Sequence, residues 1–344
     1  MTSKGHNSRD APRSGELGLS DILDLSWGWR PSILLLQAHT SGVFDAAEGG
    51  WKTAEEIAGK LGADRRATGL LLDGLCGAGL VKKSGGKYKN AGVVERHLVR
   101  GAPDYRGNIL DLDRRAVSNW LKIGEVLKSG EPIPKPESTQ DEKKAWQETF
   151  ILAMDDIASQ FKERMLDALP IKDGMSILDI GCGPATYLIE SALRFKNLTG
   201  VAFDRPMSGS VVAKAVERAK VGDRIEFKGG DFTTDDFDFG DPFDGILISQ
   251  IIHIIDRQSS ADLLKRAVNV VKPGGFLAIH EMTLGPDDDP GPAAVFSIQM
   301  MLGTKSGGVY TKDEIAGWMK DAGLTIESDT RMDARSEVIV GRKG

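Results

Sequence analysis

Three aspartates follow three successive apolar segments of the chain, each in a position where a carboxylate could bind a nucleoside. Asp179 lies at the end of the first segment and Asp204 ends the second. A carboxylate at the second position can accept hydrogen bonds from both ribose hydroxyls. Asp231 follows the third segment and could accept from an exocyclic amine, while the ring of Phe232 could stack on adenine. The three sites together predict an adenosine-binding site.

A glycine-rich turn follows the first apolar segment. Gly181 and Gly183 would let a ligand approach the backbone closely, and ligands bind at the carboxyl ends of parallel strands. A dinucleotide fingerprint requires a third glycine where this chain has Thr186, and it has no place for Asp179. The turn therefore argues against a nicotinamide dinucleotide.

Alternating strands and helices are needed to bring these turns together. From residue 175 onward the chain reads as strand, turn and helix in repetition, which predicts an α/β fold with a parallel sheet covered by helices on both faces. The predicted strands span 176–180, 198–203, 224–227 and 245–248, the helices span 182–195 and 211–220, and 324–329 pairs with 337–340 in an antiparallel hairpin.

The chain before this region divides into three parts. Residues 1–18 are polar and predict a disordered tail, and 19–100 predict helices followed by a small hairpin. Thr53 and Glu56 have the spacing of a capping box, which marks the start of one helix. Residues 101–170 predict a helical linker region with a proline-rich break and a last helix over 145–169, and 171–344 form the domain with the alternating strands and helices.

The helix, helix and hairpin order over 19–100 is typical of a winged helix. Such a domain could bind DNA through its basic residues or could join two copies of the chain. Dimerisation is the favoured interpretation, because no set of base-reading residues stands out. The basic residues in question are Arg65, Arg66, Lys82, Lys83, Lys87 and Lys89.

Composition limits the possible partners. Against 44 Lys and Arg stand 50 Asp and Glu in 344 residues, so the net charge of −6 disfavours binding to nucleic acid. Cys76 and Cys182 lie far apart, which argues against a disulfide framework and a zinc cluster. No segment has the length and flanks of a signal peptide or membrane span. We expect a cytoplasmic protein without a membrane or nucleic-acid partner.

Four motifs identify a family. The segments Leu178-Asp-Ile-Gly-Cys-Gly183, Phe203-Asp-Arg-Pro206, Gly230-Asp-Phe232 and Lys272-Pro-Gly-Gly275 resemble the class I S-adenosylmethionine-dependent methyltransferases, specifically the plant-type O-methyltransferase family and its bacterial members. The resemblance covers nearly the whole chain. It implies a Rossmann-like domain whose seven-stranded sheet has one antiparallel strand, and an N-terminal winged-helix-like domain that forms a homodimer.

The resemblance also implies a cofactor and the residues that bind it. S-adenosylmethionine (SAM) would be converted to S-adenosylhomocysteine without a metal. Ala185 replaces the third glycine of the family turn and Arg205 replaces a usual leucine, changes that should alter the fit without abolishing binding. The implied contacts are Asp179, Gly181 and Gly183 to the methionine part, Asp204 to the ribose, Asp231 and Phe232 to the adenine, with Ser249 as a further cofactor contact.

By the same resemblance, His253 occupies the position of the catalytic base. A base needs a second group to orient it. Glu281 matches the first of two family glutamates, whereas the second falls on Val309, and Ile254 follows the histidine where the plant enzymes have an acid. The sequence therefore predicts that the machinery assisting the base is only partly present.

This incomplete machinery favours an acceptor that needs little help from a base. A thioether sulfur has no proton to lose, so we expect a sulfur acceptor, for example 4-methylthio-2-hydroxybutyrate on the route to dimethylsulfoniopropionate. The alternatives are O-methylation of a phenol or hydroxy acid with His253 as base, and a winged-helix DNA-binding regulator that senses SAM. The family layout places six residues around the acceptor: Phe150, Met154, Phe296, Gln299, Met300 and Tyr310.

Overall fold

Residues 17–234, 241–286 and 289–344 are described by a computed structural model of the chain. Nearly all of the predicted disordered tail, 1–18, lies outside these residues. The chain divides into two units, with the boundary between Arg114 and Arg115. Over the described residues, no helix is long and apolar enough to cross a membrane.

The first unit is mainly helical. Its elements are α1 Leu19–Trp27, α2 Trp29–Thr40, α3 Val43–Ala46, β1 Lys52–Thr53, α4 Ala54–Leu61, α5 Arg65–Gly77, β2 Val81–Ser84, β3 Lys87–Asn90 and α6 Gly92–His97, and α7 Asn108–Trp120 crosses the boundary.

The predicted capping box at the start of α4 is confirmed. The Thr53 hydroxyl accepts from the Glu56 amide at 3.2 Å, and the Thr53 amide donates to the Glu56 carboxylate at 2.6 Å. Strands β2 and β3 form the predicted hairpin, and β1 pairs with β3 to make a three-stranded sheet. The helix, helix and hairpin order is therefore present, while the winged-helix assignment stays a prediction.

The second unit contains the large sheet. Its helices are α8 Ile123–Ser129, α9 Gln140–Ala158, α10 Lys162–Ala168, α11 Thr186–Arg194, α12 Gly209–Ala219, α13 Arg257–Asn269, α14 Ala294–Gly303 and α15 Lys312–Asp321. Its strands are β4 Ser176–Ile180, β5 Thr199–Asp204, β6 Ile225–Gly229, β7 Phe243–Ser249, β8 Val271–Leu284, β9 Tyr310–Thr311, β10 Leu324–Arg331 and β11 Ser336–Lys343, with short 3-10 turns at Pro206–Ser208 and Ile252–Ile254.

Seven strands follow the order β10-β11-β8-β7-β4-β5-β6, and β9 pairs with β8 off this path. Strand β11 is antiparallel to both of its neighbours, whereas the pairs from β8 to β6 are parallel. Apolar side chains are buried on both faces, with Leu188 and Val338 in one cluster and Leu263 and Ile315 in the other. The Rossmann-like α/β fold with one antiparallel strand is thereby confirmed.

Two elements differ from the sequence predictions. Strand β8 was not predicted, because Lys272-Pro-Gly-Gly275 has the composition of a turn. The segment lies within the strand but does not pair with β7. Val271 pairs with Phe243, and the next paired residue of β8 is Phe276. The helix predicted over 145–169 is instead two helices, α9 and α10, with a break at 159–161.

Candidate active site

The carboxyl ends of β4, β5 and β6 bring the three predicted aspartates to one edge of the sheet. The amide of Gly183 donates to Asp204 Oδ2 at 2.7 Å, which joins the glycine turn to the end of β5. The amide of Gly230 donates to the carbonyl of Asp204 at 2.9 Å, which places Asp231 beside it. Asp179 lies one residue before the end of β4. The strand order therefore brings the three predicted aspartates to one edge of the sheet.

The turn between β4 and α11 contains three residues in the left-handed backbone conformation. Gly181 has a φ of +72°, and a Cβ atom there would lie 2.2 Å from Cδ1 of Ile251. Gly183 and Ala185 also have positive φ values, of 54° and 61°. The alanine at the position of the third family glycine thus keeps the left-handed conformation at some energetic cost.

Two buried carboxyl groups lie in this region. Asp179 is 2% exposed, and burial together with the charge of Asp204 raises its pKa to about 7. Burial also raises the pKa of Asp204, although hydrogen bonds from Gly183, Arg205 and Ser208 oppose the shift. A cationic ligand would relieve the cost of holding these carboxylates away from water.

Asp231 and Phe232 occupy different surroundings. The Asp231 carboxylate accepts from the amide and hydroxyl of Thr233 at 2.9 and 2.6 Å, and these bonds hold its pKa below the usual value. The Phe232 ring is buried in the core cluster with Phe203 and Ile246. The structure thus leaves Asp231 near the surface and packs Phe232 inward.

His253 and Glu281 form a buried pair. His253 lies in the 3-10 turn after β7, and its Nδ1 is 2.6 Å from Oε1 of Glu281 on β8. The amide of Met282 also donates to Oε1, at 2.9 Å, and the ring of Phe296 meets the imidazole edge to face at 5.0 Å. A carboxylate accepts, so this contact favours the imidazole tautomer with its proton on Nδ1, in which Nε2 is the acceptor.

A second histidine lies beside this pair and was not assigned a role from the sequence. His280 Nδ1 is 3.0 Å from the Ser249 hydroxyl, the predicted cofactor contact at the end of β7. Burial lowers the pKa of His280 to about 4, so its ring is neutral at neutral pH. The only sequence signal for it was its position directly before Glu281.

The residues predicted to line the acceptor pocket fall into two groups. Met154 on α9 approaches the glycine turn, since its Cβ lies 4.0 Å from where a Cβ on Gly183 would be. Phe150, one turn earlier on the same helix, is 42% exposed. Phe296 on α14 contacts His253, as described above.

The other three residues predicted to line the acceptor pocket are engaged in hydrogen bonds or buried packing within the protein. Gln299 accepts a hydrogen bond through Oε1 from the indole N–H of Trp120 at 2.5 Å, a contact that sequence reasoning did not find. Met300 is buried in α14. The Tyr310 hydroxyl donates to the carbonyl of Ile255 at 2.7 Å, and its ring packs in the core.

A family model for the O-methyltransferase domain matches residues 135–325, more than half of the chain. The fold and this match define a SAM-dependent methyltransferase. The chain belongs to the O-methyltransferase domain family.

Three similar proteins are named for methyl transfer to oxygen or nitrogen. The chain is 29% identical to 3-hydroxy-5-methyl-1-naphthoate 3-O-methyltransferase of Streptomyces sahachiroi over 88% of this chain and 89% of that protein. It is 26% identical to the tetracenomycin polyketide synthesis 8-O-methyl transferase TcmO of Streptomyces glaucescens, over 96% and 99%. It is 24% identical to the N,N-dimethyltransferase OxyT of Streptomyces rimosus, over 91% and 92%.

Two solved structures share the fold over nearly the full length. An O-methyltransferase family protein from Burkholderia thailandensis has a TM-score of 0.84 at 27% identity and covers 96% of this chain and 99% of its own. Human N-acetylserotonin methyltransferase, solved in complex with SAM, has a TM-score of 0.81 at 22% identity and covers 97% and 100%.

The residues at the sheet edge suit SAM, the methyl donor of this enzyme. SAM carries a sulfonium and an ammonium group, and the buried carboxylates Asp179 and Asp204 favour a cationic ligand. At Gly183 the nearest atom to an added Cβ would be Cβ of Met154, 4.0 Å away, which leaves room for a ligand to approach the backbone there. Among the described residues, no group of His, Cys, Asp or Glu side chains is arranged to hold a metal ion.

Proposed function

We propose that this enzyme methylates a hydroxyl oxygen of a small aromatic molecule, with His253 as the general base and Glu281 as the residue that orients it. The observation that carries the proposal is the 2.6 Å contact between His253 Nδ1 and Glu281 Oε1. A phenol has a pKa near 10 and must lose a proton as it attacks the methyl group, so an oriented base contributes directly to the rate.

The preference for a sulfur acceptor rested on an incomplete base machinery. The contact with Glu281 weakens that argument, because one buried carboxylate is sufficient to fix the tautomer of the imidazole. The comparisons name oxygen acceptors among the relatives and give no support for a thioether acceptor. O-methylation, the alternative in the sequence analysis, is therefore the better proposal.

For the methyl donor, we propose the contacts that the family resemblance implies. Bound SAM supplies an electrophilic methyl group on a sulfonium sulfur. Asp179, Gly181 and Gly183 would hold its methionine part, with Ser249 close by, and Asp204 would accept from the ribose hydroxyls. For Asp231 and Phe232 we propose the adenine contact, in which Phe232 would present the edge of a ring already packed in the core.

The N-terminal unit is proposed to join two copies of the chain. Support comes from the exposed apolar side chains on its first helices, which include Leu19, Ile22, Leu23, Leu25 and Trp27. Light scattering of the purified protein would test this. A monomeric mass at micromolar concentration would contradict it.

The acceptor is tested by following conversion of SAM to S-adenosylhomocysteine with a panel of hydroxynaphthoates, phenols, catechols, hydroxy acids, thiols and 4-methylthio-2-hydroxybutyrate. We expect turnover with an aromatic hydroxyl. His253→Ala should then lower kcat about 10²-fold or more, while His97→Ala in the first unit serves as the matched control. Selective turnover of the thioether, retained in His253→Ala, would contradict the proposal.

A further inference from the structure

Glu281 has a second glutamate as its neighbour across the sheet. Glu337 on β11 pairs directly with Glu281 on β8. Directly opposed residues of an antiparallel pair project from the same face, with Cβ atoms about 4.5–5.5 Å apart. The carboxylate that contacts the proposed base therefore shares its surroundings with another carboxylate.

Each of the two glutamates has a buried oxygen without a hydrogen-bond partner among the described residues. Glu281 is 1% exposed, and its Oε1 already accepts from His253 and Met282. Its Oε2 has no partner, and neither does Oε2 of Glu337. Because unpaired buried polar atoms are rare in folded proteins, two of them on opposed residues require an explanation.

A cation faces Glu337 from the opposite side of β11. Arg331 on β10 pairs directly with Glu337, but its Nε and Nη2 donate to the carbonyls of Asp333 and Ala334 at 3.1 and 3.4 Å.

The other charged or polar groups near the pair are also engaged elsewhere. Lys312 lies near Glu337, but its Nζ donates to Asp329 Oδ2 at 3.1 Å. Tyr310 lies near Glu281, but its hydroxyl donates to a backbone carbonyl. His280 also lies near Glu281, and it is in contact with Ser249 on the other side of β8. None of these groups donates to either Oε2 atom.

One proton shared between the two carboxyl groups would satisfy both. Two ionised carboxylates on directly opposed residues repel each other, and burial increases the cost. If one of them is protonated, its O–H can donate to the other, and hydrogen bonds to an ionised acceptor are about twice as strong as neutral ones. The repulsion and the unpaired oxygens are then removed together.

We propose that Glu337 is a positioning residue, which holds Glu281 through a proton shared between their Oε2 atoms and so aims Glu281 Oε1 at His253. The family pattern places a second glutamate where this chain has Val309. Glu337 supplies a second carboxyl group from β11 instead. The catalytic consequence depends on the proposed role of His253, whereas the shared proton does not.

Infrared spectroscopy of the resting enzyme tests the shared proton. We expect a carbonyl band of a protonated carboxyl group at neutral pH that disappears in Glu337→Gln. The difference between wild-type and variant spectra cancels the contribution of other acids such as Asp179. Glu226→Gln, which alters an exposed strand glutamate, is the matched control and should leave the band unchanged. Identical spectra for the wild type and Glu337→Gln would overturn the inference.

Kinetics tests the positioning role. Glu337→Leu should lower kcat about tenfold, a part of the 10²–10⁴ that a positioned base contributes, with an unchanged KM for SAM. Glu337→Gln should recover most of this loss, because its amide can donate to Glu281 Oε2. Equal impairment in both variants, or wild-type kcat in Glu337→Leu, would overturn the positioning role.

The two proposals fail in different ways. Full turnover by His253→Ala would refute the role of His253 as general base. An infrared carbonyl band that depends on Glu337 would still support the shared proton in that case. An inactive His253→Ala together with no band would leave the base standing and overturn the inference.

Discussion

His253 and Glu281 meet at 2.6 Å although they lie 28 residues apart and belong to different elements. Strands β7 and β8 are parallel neighbours in which Ser249 pairs with His280. The 3-10 turn after β7 brings the imidazole back over the next residue of β8, which is Glu281. The pair is thus a product of sheet register, and the register fixes the tautomer of the proposed base.

Replacing Glu281 with glutamine should therefore impair catalysis more than binding. The glutamine amide can donate to Nδ1, which favours the tautomer with its proton on Nε2 and removes the acceptor for the substrate proton. We expect kcat to fall by about 10²–10⁴, measured as S-adenosylhomocysteine formed per enzyme at saturating substrates. The Kd for SAM, measured by calorimetry, should change by less than about threefold. A kcat near the wild-type value would show that Glu281 does not orient the proposed base.

The affinity for SAM should increase with pH. Burial and the charge of Asp204 raise the pKa of Asp179 to about 7, so at lower pH this carboxyl is protonated and does not attract a cation. Binding then releases a proton, and the Kd should fall by up to about tenfold per pH unit below pH 7 and level off above it. Calorimetry at pH 6 and 8 in buffers of different ionisation enthalpy measures both effects.

The raised pKa of Asp179 makes the ligand-free protein less stable as the pH rises, whereas it makes SAM binding stronger. Between about pH 4 and 7 the folded state keeps a proton on Asp179 that the unfolded chain has lost, so this group reduces the free energy of unfolding as the pH rises. Asp179→Asn should remove the pH dependence of SAM binding, and Asp223→Asn, at an exposed site, should retain it. An unchanged pH dependence in Asp179→Asn would show that another group titrates.

The loop before β9 should control the position of His253. A Cβ atom on Gly307 would lie 2.4 Å from the carbonyl oxygen of His253 and 3.1 Å from the carbonyl carbon of Ile254. Because these are backbone atoms, Gly307→Ala must displace the turn that carries the imidazole, and we expect a lower melting temperature and at least a tenfold lower kcat.

Gly308 provides the matched control for this variant. A Cβ atom there has no neighbour within 4 Å, so Gly308→Ala should keep both the melting temperature and kcat. If Gly307→Ala behaved like Gly308→Ala, the loop would have room to shift without moving His253.

The sequence was sufficient to predict the parts of the site that depend on strand ends. Asp179, Asp204 and Asp231 follow apolar segments, and parallel strands necessarily bring their carboxyl ends to one edge. Glu281 was found only through the family resemblance, because β8 itself was hidden by the Lys272-Pro-Gly-Gly275 turn composition.

Contacts that depend on register or on distant packing could not be predicted. Glu337 faces Glu281 only through the antiparallel pairing of β11 with β8, and a shift of one residue would turn it to the other face. Trp120 and Gln299 are 179 residues apart, and no periodicity in the sequence connects them. Phe232 was predicted beside adenine, yet an aromatic residue after a strand is equally suited to the core that encloses it here.

The contact between Trp120 and Gln299 leads to a prediction on acceptor binding. An indole N–H only donates, so the 2.5 Å bond fixes the Gln299 oxygen toward Trp120 and turns the amide N–H groups away from it. Gln299 lies one helical turn after Phe296, the residue that contacts His253, so we expect these N–H groups to donate to an oxygen of the acceptor.

Trp120→Phe removes the donor and frees the Gln299 amide to rotate. A single hydrogen bond contributes about 0.5–1.5 kcal/mol, so we expect the KM of the acceptor to rise by about two- to tenfold, with kcat and the KM for SAM little changed. Trp146→Phe, a replacement of the indole that Arg115 covers, is the control and should not alter the acceptor KM. Steady-state kinetics with the best acceptor of the panel measures all three constants. A rise in the KM for SAM instead would place Trp120 on the donor side and contradict the assignment of Gln299 to the acceptor pocket.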